Sequence, residues 1–253
     1  SRFSEASIEE WLAKRTLNKQ QASYFNGKTV SLSVQVWVLD AHDDELAVKR
    51  TLKSLESVAD LPLVIHSQVI HSASAVPAIN QALQASNADW CVVVEAGTEF
   101  VYSGLVMALM DLPDADCRAV CFDQVYRPEQ GRLGAALRPS FNLDYLLSFP
   151  AGMAKNWLFN RQALLAEGGF NEQLPQAFEL DVILRMVNSG GMAGLAHIAE
   201  PLVITSPPQL INVEDERKAI EAHLQARGYD QVQLHAPKPG RYQVRYNHPA
   251  QPV

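Results

Sequence analysis

Residues 138–204 read RPSFNLDYLLSFPAGMAKNWLFNRQALLAEGGFNEQLPQAFELDVILRMVNSGGMAGLAHIAEPLVI, and the order of parts in this stretch decides the fold. Arg138-Pro139 and the aromatic Phe141 precede Asp144-Tyr145-Leu146-Leu147. A short apolar strand follows, with Asn160-Arg161 at its end. A helix then closes on Gly168-Gly169-Phe170, a loop leads to Glu179-Leu180-Asp181, and a second helix carries Leu184-Arg185. The stretch ends in a further strand over residues 201–206, PLVITS.

Upstream of it, residues 31–39 (SLSVQVWVL) alternate and are β-branched, which predicts a first strand. Residues 43–55 form an amphipathic helix opened by acids that suit its N-terminal dipole. Residues 62–67 (PLVIHS) read as a second strand, 75–86 as a second helix, and 90–95 (WCVVVE) as a continuous apolar strand of the central parallel kind. A helix over 102–110, a strand over 118–126 and a turn at Glu129-Gln130-Gly131 complete the upstream half. Strand and helix alternating in this way imply right-handed crossovers and a nucleotide-binding sheet. At the front, Ser7 and Glu10 give a capping-box pattern, and Ile8, Trp11 and Leu12 fall at helical spacing, so residues 1–30 are expected to contribute a packing helix. Downstream, Pro207-Pro208 breaks regular structure. Residues 212–227 are expected to be a helix with Gly228 as its C-terminal cap, followed by two short strands around Lys238-Pro239-Gly240. The expected organisation is an N-terminal helical segment (1–30), the α/β domain (31–206) and a helix-hairpin appendage (207–253).

Composition narrows the function. Of the 253 residues, 47% are hydrophobic, enough for a large core, and 21 basic against 28 acidic residues leave a net charge of −7. That balance speaks against non-specific nucleic-acid binding or an anionic membrane surface, which call for basic clusters. No apolar run approaches the ~20 residues of a membrane span, and the sequence SRFSEASIEEW carries no apolar leader segment. The odd count of Cys91, Cys117 and Cys121 on core-like strands reads as reduced thiols in a cytoplasmic protein. LDAHDDEL after the first strand contains no glycine, so neither a dinucleotide fingerprint nor a P-loop is present, and no Gly-x-Ser-x-Gly elbow occurs. The seven histidines are scattered, and His66 and His71 share no Cys or acid at zinc spacing.

The layout of 138–204 resembles the acceptor-side half of family-two inverting glycosyltransferases, especially bacterial enzymes that build O-antigen and other surface polysaccharides. The resemblance implies a GT-A fold, α/β with a mostly parallel central sheet flanked by helices. It also implies transfer of a sugar from a nucleotide-sugar to a glycan, lipid-linked saccharide or protein acceptor, at or near the inner face of the membrane. Such chemistry needs a base-and-ribose pocket, positive charge against the leaving diphosphate, a carboxylate for the acceptor proton and a platform for the acceptor. The family's Asp-x-Asp metal motif maps onto Glu95-Ala96-Gly97, so Glu95 is the candidate ligand for Mn2+ or Mg2+. The second acid is Gly97, the family's late histidine is absent, and Glu95 reads equally as an acidic strand end capping the next helix, whose start includes Glu99. The donor-binding positions map onto Asp40, His66, Ser67, Glu95 and Gly97; His66 also reads as an ordinary strand-end histidine, and Asp40 as the start of the next helix. Glu179 maps onto the family's base, with one methylene more than the usual Asp. Lys155, Trp157, Asp181 and Arg185 fall on the acceptor side, although Asp181 and Arg185, at i and i+4, also make a structural ion pair. Met153 stands where many relatives carry a histidine, and His197 reads as structural. Residues 218–230 (KAIEAHLQARGYD) and 239–246 (PGRYQVRY) resemble the connector in tandem enzymes, so a second glycosyltransferase domain is expected to follow. The weakened motifs leave a second reading open, a catalytically degenerate GT-A domain that binds glycan or docks a catalytic neighbour.

Overall fold

The computed structural model describes residues 31–59, 61–113, 115–129, 133–136 and 142–246. The expected N-terminal helix lies outside these residues, as do Arg138, Pro139, Phe141 and part of the turn at 129–131.

The strands are β1 (Leu32–Leu39), β2 (Leu63–Ile70), β3 (Trp90–Glu95), β4 (Glu99–Phe100), β5 (Ala119–Tyr126), β6 (Gly134–Ala136), β7 (Leu158–Asn160), β8 (Leu195–Thr205), β9 (Val232–Lys238) and β10 (Arg241–Tyr246). The helices are α1 (Glu45–Glu56), α2 (Ala75–Ala85), α3 (Tyr102–Asp111), α4 (Leu143–Ser148), α5 (Pro150–Met153), α6 (Arg161–Ala166), α7 (Phe178–Gly190) and α8 (Glu214–Ala226). An eight-stranded sheet runs β2-β1-β3-β7-β5-β8-β4, with β6 hung on β5; β9 and β10 form a separate hairpin. β1 pairs with β2 and β3 in parallel, and β5 pairs with β8 in parallel. β7 is inserted antiparallel between β3 and β5, and β4 and β6 are antiparallel edges. The sheet is therefore mixed but mostly parallel.

The continuous apolar runs follow from a sheet buried on both faces. Successive side chains of a strand point to opposite sides. Val34, Val36 and Val38 of β1, Val92 and Val94 of β3, and Val120 and Phe122 of β5 join one core cluster. Trp37, Cys91, Val93, Ala119 and Cys121 join the other, beneath α2, α6, α7 and α8. Burying a side chain of this size stabilises by ~1.5–3 kcal/mol. Cys91 and Cys121 are buried and outside any disulfide, and burial pushes the Cys91 thiol far above its usual range.

Three expectations about elements are corrected. β2 continues three residues beyond Ser67, to Ile70, in full register with β1. Glu99 does not open the following helix; it belongs to β4, opposite Ile204, and pairs with Arg127 at 3.3 Å. β8 is also longer than the expected strand, beginning at Leu195, so that His197 sits within it.

The organising stretch is held by its double glycine. α6 ends with Gly168 N–H bonded to the Leu165 carbonyl and Gly169 N–H to the Leu164 carbonyl, both at 2.9 Å, with φ of +82° and +79°. That is the Schellman pattern, which needs a left-handed residue after the helix. Arg185, on α7, bridges Asp181 at 2.8 Å and donates to the Glu167 and Gly169 carbonyls, so the α6 turn and α7 are clamped together.

The C-terminal part is docked onto this same side. Ala219, Ile220 and Leu224 of α8 and Tyr242 of β10 belong to the core cluster that contains α7. Tyr242 Oη donates to Glu216 Oε1 at 3.0 Å, Gln176 N–H donates to Asp215, and Arg241 lies 3.6 Å over the Phe149 ring centre. Burial, reinforced by the nearby Arg227 guanidinium, holds His223 on α8 below the ordinary histidine range of 6.5. A depressed histidine stabilises the fold above its unfolded pKa, and that contribution is lost as pH falls through 6.5 toward the folded value. Glu216 acts in the opposite sense. Burial raises it above 4.5, partly offset by the Tyr242 hydrogen bond and Lys155, so its contribution is present in acid and lost as pH rises. The melting temperature is therefore expected to fall on acidification through pH 6.5, and His223→Gln, neutral at every pH, should flatten that fall. An unchanged acid profile in His223→Gln would show that another group is responsible.

Candidate active site at the strand ends

The parallel register sets three strand ends at one level. Leu39, the last residue of β1, is opposite Ile70 of β2 on one side and Glu95 of β3 on the other. The ladder carries one residue further: Asp40 N–H donates to the Ile70 carbonyl at 3.0 Å, and Ala96 N–H to the Leu39 carbonyl at 2.8 Å. Asp40, His71 and Glu95 are thereby brought to one shelf at the carboxyl edge, where open α/β sheets bind ligands.

Asp40 is the fixed point. It is 4% exposed, and one carboxylate oxygen accepts the Asp44 N–H at 2.9 Å while the other lies 3.2 Å from His71 Nδ1. Asp43, with φ of +54°, brings its own carboxylate to 4.0 Å from the same nitrogen. Asp44 then caps α1 by accepting the Ala47 N–H. Asp40, Asp43 and His71 offer three ligand atoms within 4.8 Å of one another. Carboxylate oxygens and an imidazole nitrogen suit Mn2+ well. The acids beside His71 are not at zinc spacing in the sequence; they arrive from the residues after β1, across the parallel register.

The Asp-x-Asp position does not make a second such group. Glu95 is exposed at the end of β3. Gly97 has φ of +98°, and its N–H is already donated to the Ala47 carbonyl at 3.1 Å and Thr51 Oγ1 at 2.9 Å. An aspartate would be strained in that conformation, which gives a backbone reason for the missing acid. Thr98 Oγ1 lies 3.3 Å from Thr205 Oγ1, joining this turn to the end of β8. His66 and Ser67 fall within β2, opposite Gln35 and Val36 and exposed on the edge strand, short of the shelf.

On the acceptor side, Glu179 occupies the first turn of α7 at 4% exposure. It lines a niche of about 10 Å³, roughly one water in size, with Lys155, Gln176 and Glu216 among the other walls. Trp157 is fully buried and donates its indole N–H to the Met153 carbonyl at 2.7 Å, so its ring faces core. Met153 is buried beside it. Asp181 is 6% exposed and committed to Arg185. His197 Nε2 lies 2.8 Å from Asp123 inside the sheet. The residues that sequence reasoning missed are Asp43 and His71 on the shelf and Glu216 in the niche. Parallel pairing of β1 with a longer β2 was the signal for the first two.

The fold, α/β with a mixed, mostly parallel central sheet flanked by helices, matches GT-A transferase structures. Among solved structures, S. aureus TarS residues 1–349 in complex with UDP superposes with a TM-score of 0.55 at 11% identity, over 77% of this chain and 65% of that one. The same fragment in complex with UDP-GlcNAc gives 0.55 at 11% identity, over 77% and 66%. A further structure of S. aureus TarS gives 0.53 at 12% identity, over 78% of this chain and 39% of that one. The chain spans about two thirds of the TarS 1–349 structure and 39% of the longer TarS chain. No family model matches the chain, and no curated protein matches it by sequence. Among the described residues, no helix is long and apolar enough to cross a membrane.

Proposed function

We propose that the chain is a glycosyltransferase domain that transfers a sugar from a nucleotide-sugar to a glycan, lipid-linked saccharide or protein acceptor, with inversion, in bacterial surface-polysaccharide or glycoconjugate synthesis. The observation that carries this reading is the convergence of Asp40, His71 and Glu95 at the carboxyl ends of three parallel-paired strands, within one residue of the Leu39–Ile70–Glu95 register level. Asp40, Asp43 and His71 are the residues that would hold a divalent cation, with Glu95 at the rim of the shelf. A cation there supplies positive charge against a diphosphate. Glu179 is the proton acceptor for the acceptor hydroxyl, working through the one-water niche beside it. Lys155 lines the same niche, and its charge pulls against the burial that raises Glu216. A cytoplasmic site of action and a second glycosyltransferase domain after this chain belong to the same proposal.

A non-catalytic reading is favoured by one set of observations: Glu179 is nearly enclosed, and the Gly97 amide and Arg185 are spent on the fold itself. Such a domain would hold glycan or dock a catalytic neighbour. Titration with uridine, guanosine and thymidine diphosphates, with and without Mn2+, separates the two. Transfer predicts that one nucleotide binds in the micromolar range and that Mn2+ strengthens it. Asp40→Asn, which keeps the side-chain shape, should then weaken the Mn2+-dependent part by at least about tenfold, ~1.4 kcal/mol. Silence across the panel would select the non-catalytic reading.

A further inference from the structure

A second concavity lies away from the strand-end shelf. It is an open groove of about 620 Å³ between the outer face of α2 and the loop that follows α6, within the size range of small-ligand sites. It sits toward the opposite edge of the sheet. Arg161, at the start of α6, donates to the Leu83 and Gln84 carbonyls at the end of α2, and its N–H donates to the Asp89 carbonyl just before β3 begins.

The groove is built rather than incidental. Asn80, on α2, bonds both polar groups of Phe170: its Nδ2 donates to the Phe170 carbonyl at 2.8 Å and its Oδ1 accepts the Phe170 N–H at 2.9 Å. The same Nδ2 lies 3.3 Å from Glu172. A side chain at Gly169 would meet Asn80 Oδ1 at 2.7 Å, so the glycine lets the two walls approach. Beyond this strut, the lining offers the carboxamides of Gln81, Gln84, Asn171 and Gln173, with Gln81 and Gln84 three residues apart on one helix face.

The chemistry of the lining selects the ligand. Each carboxamide presents both donors and an acceptor, the complement of a hydroxyl that does the same. Among the described residues no lysine or arginine lines the groove, and Glu172 adds negative charge, which disfavours phosphate and other anions. Phe170 is 3% exposed and packed edge-on against Phe159 and Phe178, so it offers no face on which a base would stack. The helix wall has its backbone groups already bonded, so no strand of peptide adds to it. We propose that this groove binds a neutral, hydroxyl-rich oligosaccharide, held by Gln81, Gln84, Asn171 and Gln173. Such a site keeps a glycan chain on the domain at a distance from the shelf, whether or not the shelf catalyses transfer.

The test needs neither donor nucleotide nor metal. The isotopically labelled full chain is titrated with chitotetraose and with maltotetraose, and the backbone amide and side-chain carboxamide resonances are followed by NMR; a heparin tetrasaccharide is the anionic control. At least one neutral probe is expected to shift the Gln81 and Gln84 carboxamides saturably. Gln81→Ala/Gln84→Ala, two exposed helix positions where alanine is well tolerated, is expected to weaken that binding at least about tenfold. The proposal is overturned if neither neutral probe shifts these resonances, if the double variant binds like the parent, if the shifts map to Asp40 and His71 instead, or if the heparin fragment binds as tightly. Because nucleotide titration is independent of this readout, failure here leaves the transfer reading standing, and the reverse also holds.

Discussion

Glu179→Gln is expected to lower sugar transfer by ~100- to 10,000-fold, the range a positioned general base contributes, while leaving the fold intact. The side chain stands in the first turn of α7, nearly enclosed, with Lys155, Gln176 and Glu216 around the same niche. Glutamine fills the same volume and keeps a carbonyl oxygen, but it cannot take a proton at neutral pH. It also removes one buried negative charge from a niche that already holds Glu216, so the cost to stability should stay below ~1 kcal/mol, or ~2–4 °C in melting temperature for a chain of this size. Activity lost with the melting temperature kept identifies Glu179 as acting in the reaction. Activity and stability both unchanged would remove Glu179 from the mechanism. A large fall in both would make it a structural carboxylate at a helix start, where a negative charge suits the dipole.

The largest effect on stability is expected from Gly104→Ala. Gly104 is buried in α3, and an added Cβ would strike the Pro201 carbonyl oxygen and come within 2.8 Å of Leu202 Cα. Both belong to the backbone of β8, which is held by β5 on one side and β4 on the other. The start of α3 is tied to the same strand through Val101 N–H and the Leu202 carbonyl at 2.8 Å. Neither partner can move without breaking a ladder, so overpacking should cost about 3 kcal/mol or more, which for a chain of this length is roughly 6–12 °C. Gly134→Ala, with nothing within 4 Å of its added methyl, is the matched control and should be near neutral. A loss under ~1 kcal/mol for Gly104→Ala would mean that α3 does not lie against β8 as described.

How much of this was legible in the sequence differs by element for physical reasons. β3 has the bounds read for it, because WCVVVE is buried on both faces and bounded by polar residues. The Gly168-Gly169 turn was equally plain, since only glycine accepts that backbone cheaply. β2 was read too short because it is an edge strand. Ser67 and Gln68 are exposed there, and their polarity hides a strand that continues to Ile70. That error concealed His71, whose partners Asp40 and Asp43 meet it only through parallel pairing. β4 is two residues long and exists through its pairing with β8, which no local pattern announces. Asp181 and Arg185 were legible as a pair from their spacing. The further reach of Arg185 to two carbonyls after α6 depends on tertiary placement.

The most direct test of the strand-end shelf is a crystal soaked with a nucleoside diphosphate and Mn2+. The shelf predicts density for the metal at Asp40, Asp43 and His71, with the diphosphate beside it and Glu95 at the rim. Nucleotide bound elsewhere on the molecule, or metal bound with those three side chains untouched, would contradict it.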